Sequence, residues 1–326
     1  MRALFTKNTL LFFKWAFVGA IWSWIALKIL RHPLDNPILL LGKAFLFENG
    51  VLIFSLFLGL AFLNWALEGL KWKVILSSHS PVPFSLAFKS VLAGAASGIF
   101  TPNRIGEIFG RLSVLPSRFL LNNIIPFGMI SSFSALLVTG TFGWFALIFL
   151  PAFFHEFKPE NTGSLELLVS VASYALVASV ILLWIFLLVL RPRFMNKFKA
   201  KWLQNLAHFR AFSIRTWTLA FTISFLRYLI FFFQTALVLY WFGIVGFSPG
   251  SFLLIPVFFF CISLLPGFFL SDLGIRGSIA LFVFSMVSDD SPAILLAVFL
   301  IWLVNIGLPA LVGTYFISSL KLKSKD

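Results

Sequence analysis

At 326 residues, 60% hydrophobic, 18% aromatic and only 11% charged, the chain lies far outside soluble-protein usage, where about a quarter of residues carry charge, and a soluble globular domain is excluded. The net charge of +14 does not point to nucleic acid, because most Lys and Arg residues fall between apolar runs, where membrane topology explains them. One cysteine, Cys261, excludes an internal disulfide, and His32, His79, His155 and His208 lie in four separate regions, so neither a metal site nor a cofactor is expected.

The runs Trp15–Leu30, Leu165–Leu190, Leu219–Phe242 and Ala293–Leu311 approach or exceed the roughly 20 apolar residues that cross a hydrocarbon core. They lack the two-residue alternation of barrel strands, so the spans are predicted to be helical. Lys14 and Lys28 bracket a full-length first run with no small-residue cleavage site, which predicts a retained transmembrane helix rather than a signal peptide. Asn64 and Glu68 follow in an apolar segment, and Glu68 with Lys71 and Lys73 is predicted to be an interfacial pair with snorkelling lysines.

Phe84–Phe100 runs into Thr101, Pro102 and Gly106 and then resumes, which predicts a re-entrant helical hairpin. Ile124–Phe154 is long for one helix and carries Gly140 and Gly143 midway; it reads as one span or two. Arg191–Trp217 interleaves seven basic residues with aromatic and aliphatic ones at three- and four-residue steps. Such a pattern fits a basic amphipathic helix on an anionic leaflet as well as a solvated linker. Arg227 lies inside the next span and requires a partner, Asp272 or a lipid phosphate. Ser251–Leu265 ends at Pro266 and Gly267, with Gly274 beyond, and predicts a second re-entrant hairpin. Cys261 reads as a buried small hydrophobe, and Gln234 and Asn305 as helix-packing glue.

The fold class predicted is all-α, a polytopic helical membrane protein of about six to eight spans plus two re-entrant hairpins. Basic residues gather in the N-terminal segment, at Lys71, Lys73, Lys89 and Arg118, in 191–215 and in the C-terminal tail, which predicts a cytoplasmic location for both termini. Two similar series of elements, 1–164 and 165–326, each cross an odd number of times, which predicts an inverted repeat with the broken helices on the substrate path.

Charge inside the two breaks is expensive at membrane depth unless paired, hydrated or used. Glu107 and Arg111 stand i, i+4 and can pair, leaving Arg104 to hold an anion beside the first amides of the resuming helix. Asp272 and Arg276 repeat that spacing in the second break. A self-neutralising set of helix caps and ion pairs that only stabilises the hairpins fits the same residues. Glu107 or Asp272 could also serve as the base or nucleophile of an integral-membrane lipid or lipid-linked-sugar transferase, which stays open as an alternative.

The pattern Gly94-Ala95-Ala96-Ser97-Gly98-Ile99-Phe100-Thr101-Pro102-Asn103-Arg104-Ile105-Gly106-Glu107 with Arg111, followed by Leu265-Pro266-Gly267 and Leu273-Gly274-Ile275-Arg276, resembles the lysylphosphatidylglycerol synthase transmembrane-region family of flippase-like proteins. The resemblance covers nearly the whole chain. It implies a bacterial inner-membrane protein that binds or moves a phospholipid or related lipid-linked molecule between leaflets. Arg104, Glu107, Arg111, Arg227, Asp272 and Arg276 are then the substrate-binding candidates, and Thr101, Pro102, Gly106, Pro266, Gly267 and Gly274 shape the breaks. Two features depart from the family: no aminoacyl-transferase domain is expected after Asp326, and Gly277 stands where an acidic residue is common. A non-catalytic partner of a separate soluble synthase, recruited through 191–215, is a further alternative.

Overall fold

The computed structural model describes residues 42, 49–99, 101, 104–119, 121–157, 170, 174, 212–265 and 269–318. The expected first span, the run 165–190 apart from residues 170 and 174, the segment 191–211, and Pro102, Pro266 and Gly267 lie outside the described residues. No strand occurs among the described residues, in keeping with the all-helical expectation.

Nine α-helices are described: α1 (Gly50–Ser77), α2 (Phe84–Ile99), α3 (Gly106–Val114), α4 (Leu121–Phe149), α5 (Ile214–Trp241), α6 (Pro249–Leu264), α7 (Phe269–Phe284), α8 (Ser291–Trp302) and α9 (Leu308–Ser318). A π-helical turn, Leu303–Gly307, joins α8 to α9. Four stretches, Gly50–Ser77, Ile124–Phe153, Ile214–Trp241 and Ser291–Ile317, are long and apolar enough to cross a membrane, and α2 and α6 are shorter apolar helices. The protein is a membrane-embedded, multi-pass helical bundle.

Local sequence sets several boundaries. Ser213, Ser248 and Asp290 are N-caps whose side chains accept from the amides of Thr216, Ser251 and Ala293, which satisfies helix-end donors that have no intrahelical partner. Because Ser213 caps α5, the basic segment drawn to Trp217 gives way to a spanning helix already at Ile214. The long run 124–154 forms one helix followed by a 3₁₀ turn, Leu150–Glu156, rather than two spans. Gly143 does not break it; a side chain there would meet Phe260 of α6, so the glycine permits close packing of the two helices.

In the first hairpin, α2 and α3 run antiparallel, since Gly94 faces Glu107 and Arg111 whereas Gly98 faces Arg104 and Glu107. The contact is backbone-close at Gly110, where a Cβ would lie 2.4 Å from the Ala93 carbonyl oxygen. Beyond the hairpins, α1 packs along α5, α2 along α9, and α6 along α4. One apolar core joins α4 to α8 around Val257, Leu281, Phe284 and Ala297. A second gathers Trp72, Ile75, Val91 and Ile130.

Candidate functional site

The break between α2 and α3 is built by its own side chains. Thr101 donates its hydroxyl to the Gly98 carbonyl at 3.1 Å and accepts the Gly106 amide at 2.8 Å. That amide, expected from sequence to face an anion, is therefore already satisfied by Thr101. Arg104 has φ 56°, a left-handed conformation that is uncommon outside glycine and asparagine and costs about 1 kcal/mol or more. This conformation turns the chain into α3 and carries the Arg104 side chain, 45% exposed, onto the mouth of a cavity.

The cavity has a volume of about 350 Å³ and is walled by residues of both hairpins and of the spans α1, α4, α5 and α8. Among the described residues five cations line it: Lys71, Arg104, Arg111, Arg227 and Arg276. The carboxylates on its wall are Glu68 and Glu107.

Glu68 organises this wall. Its Oε1 accepts from Arg111 Nη2 at 2.8 Å and from the Ser131 hydroxyl at 3.3 Å. Its Oε2 pairs with Lys71 Nζ at 2.9 Å and with Arg227. Glu107 shares Arg111 and faces Arg104 Nε at 3.5 Å. Arg111 also lies over the Trp72 ring, its guanidinium carbon 4.4 Å from the ring centre, and its Nε and Nη1 have no hydrogen-bond partner among the described residues. A chain of alternating charge thus runs from Arg104 through Glu107, Arg111 and Glu68 to Lys71 and Arg227.

This arrangement corrects two sequence expectations. Glu68 and Lys71 are not a snorkelling pair at the interface: their side chains are 7% and 1% exposed, and Lys71 also donates to the Ser131 carbonyl and to the Ser224 hydroxyl. Those inward partners replace the water that a snorkelling ammonium would otherwise seek. Lys73, two residues on, is half-buried. Arg227, the fourteenth residue of the 28 in α5, pairs with neither Asp272 nor an exposed group, but with Glu68 and with Asn64, whose side-chain and main-chain oxygens accept from Nε at 3.0 and 3.2 Å.

The second break contributes Arg276, held at 2.9 Å by Asp272, the i, i+4 partner predicted from sequence. Asp272 does not line the cavity; it stands behind Arg276 and accepts from Trp302 Nε1 at 3.0 Å. Gly274 is buried within α7 and Gly106 within α3. Replacing Trp302 by Phe removes one charge-assisted hydrogen bond and is expected to lower thermal stability in detergent by about 1.5–3 kcal/mol. An unchanged unfolding midpoint would assign Asp272 to Arg276 alone.

Of the six candidates, Arg104, Glu107, Arg111, Arg227 and Arg276 come together on one cavity, and Asp272 supports the last of them. The functional residues that sequence reading misplaced are Glu68 and Lys71, with Asn64 and Asn305 beside them. The available signal was spacing: Asn64, Glu68 and Lys71 recur at four and three residues on one face of an apolar helix, where charge is costly. Asn305 accepts from Asn64 at 3.5 Å within the π turn, whereas Gln234 ties α5 to the Phe57 carbonyl at 3.1 Å.

Comparison with protein-family models, with curated proteins and with solved structures returns no match for this chain. Its own chemistry is therefore the guide to what the cavity takes.

Proposed function

We propose that this is a flippase-like membrane protein that binds an anionic phospholipid, or a related lipid-linked molecule, in the cavity and moves it between leaflets. The observation that carries the reading is a cavity inside a membrane bundle whose wall holds, among the described residues, five cations against two carboxylates. Uncompensated positive charge at membrane depth is retained for an anion or for a transport path, and arginine forks suit phosphate oxygens.

The packing supports an inverted repeat as the frame for this activity. α1 pairs with α5, while each hairpin's first helix packs on the last span of the other half, α2 on α9 and α6 on α4. Such reciprocal contacts are those expected of two related halves that enclose a central site, with broken helices on the path. The resemblance to the lysylphosphatidylglycerol synthase transmembrane region belongs to the same proposal, as do a bacterial inner-membrane location and cytoplasmic termini. No group ending in a phosphate-binding Gly-Lys-Ser/Thr is present in the sequence, so movement would be energetically downhill or ion-driven.

The test is leaflet accessibility of fluorescent phospholipids in proteoliposomes. Wild-type protein is expected to accelerate exchange over protein-free vesicles, and Arg104→Ala and Glu107→Gln to abolish that acceleration while retaining the wild-type elution profile. Unimpaired exchange by both variants would remove the site from the transport path.

A further inference from the structure

Resting on the reading of the cavity as an anionic-lipid site, we infer that its ligand is a doubly charged phosphate head, a phosphomonoester or diphosphate, rather than a singly charged phosphodiester. The first argument is charge. When Asp272 is counted with Glu68 and Glu107, three carboxylates oppose the five cations of the cavity, a formal excess of two positive charges among the described residues. A diester phosphate neutralises one of them and leaves the other at membrane depth; a dianion neutralises both. A zwitterionic or cationic head, such as an aminoacylated lipid, adds positive charge to a wall that already has an excess.

The second argument is the donor set. Arg104 engages Glu107 only through Nε, at 3.5 Å, and Arg276 engages Asp272 through Nε at 2.9 Å. The terminal Nη groups of both have no protein hydrogen bond among the described residues, and both side chains are partly open to the cavity, 45% and 20% exposed. Glu68, by contrast, occupies Lys71 and Arg227 and shares Arg111 with Glu107. Arg104 and Arg276 thus bring one open fork from each hairpin, beside the unpartnered Nε and Nη1 of Arg111 and the partly open Arg227, 22% exposed. A monoester offers three unesterified oxygens to two forks and accepts from both at once, whereas a diester offers two. Lys71, 1% exposed and fully partnered, supplies field rather than direct contact.

Equilibrium binding of short-chain phosphatidic acid to the purified full chain in detergent tests this, at mildly alkaline pH where the monoester is doubly ionised. Phosphatidylglycerol and phosphatidylcholine of the same chain length, and inorganic phosphate, serve as competitors. Phosphatidic acid is expected to bind at least about tenfold more tightly than phosphatidylglycerol. Arg276→Gln is expected to erase that preference and Arg276→Lys to keep most of it, a contrast that a folding defect would not produce. Displacement by inorganic phosphate would assign the recognition to the phosphate dianion itself; resistance to it would assign it to the dianionic lipid. Equal binding of phosphatidic acid and phosphatidylglycerol, both lost in Arg104→Ala, would overturn the dianion inference and leave the anionic-lipid reading standing. Binding of phosphatidylcholine as tight as either would overturn both.

Discussion

Glu68→Gln is expected to destabilise the protein by about 3–5 kcal/mol, because removing the shared carboxylate leaves several buried cations without a counter-charge. The group it serves is unusual in its density: Lys71, Arg111 and Arg227 all meet this one side chain, and Ser131 completes it. Glu107 still holds Arg111 in the variant, but among the described residues nothing else on the wall offers a carboxylate to Lys71 or Arg227. Adding Lys71→Met to Glu68→Gln removes one orphaned cation and is expected to restore part of the loss, with a coupling of about 0.5–3 kcal/mol between residues in contact. Thermal unfolding in detergent measures both. A single variant as stable as wild type would show that the cluster is hydrated enough to dispense with Glu68.

Gly110→Ala is expected to cost about 1–3 kcal/mol by overpacking the first hairpin. The added Cβ would sit 1.8 Å from Ser97 Oγ and 2.4 Å from the Ala93 carbonyl oxygen. Ser97 can rotate away, although it would give up its hydrogen bond to Ala93, but the carbonyl belongs to the backbone of α2 and moves only with the helix. Separation of α2 from α3 would also shift Arg111, whose stem lies against Gly94, so lipid exchange should fall with stability. Gly140→Ala is the control: among the described residues no atom beyond its own helical turn lies within 4 Å of the added Cβ, and α4 should gain up to about 1 kcal/mol from better helix propensity. Equal behaviour of the two variants would mean that the hairpin tolerates opening.

Much of the local geometry was legible in the chain, although the left-handed Arg104, the Thr101 bond to the Gly106 amide and the π turn at Leu303–Gly307 were not. Hydropathy located α5 and the α8–α9 span, and the two Pro/Gly interruptions bounded α2 and α6 to within a few residues. Four-residue spacing on a helix identified the Glu107–Arg111 and Asp272–Arg276 pairs, since side chains one turn apart are neighbours; Arg104, which the sequence left to an anion, also faces Glu107 at 3.5 Å. The two charged breaks stood out because charge in an apolar chain is rare and expensive.

The choice among long-range partners came only from tertiary structure. Glu68 meets Arg111 across 43 residues and Arg227 across 159, separations at which nothing in spacing or composition selects one carboxylate over another. Asp272 was an equally good sequence candidate for Arg227; the packing of α1 along α5 brought Asn64 and Glu68 to it instead, and left Asp272 to Arg276 and Trp302. The same packing turned Lys71 inward, where Ser131 and Ser224 receive it. The sequence by itself determined that this is a helical membrane protein with charged breaks, and that Glu107 pairs with Arg111 and Asp272 with Arg276 one helical turn apart. The docking of spans decided which of those charges share a cavity, because burial is a property of neighbouring helices and not of the residue that carries the charge.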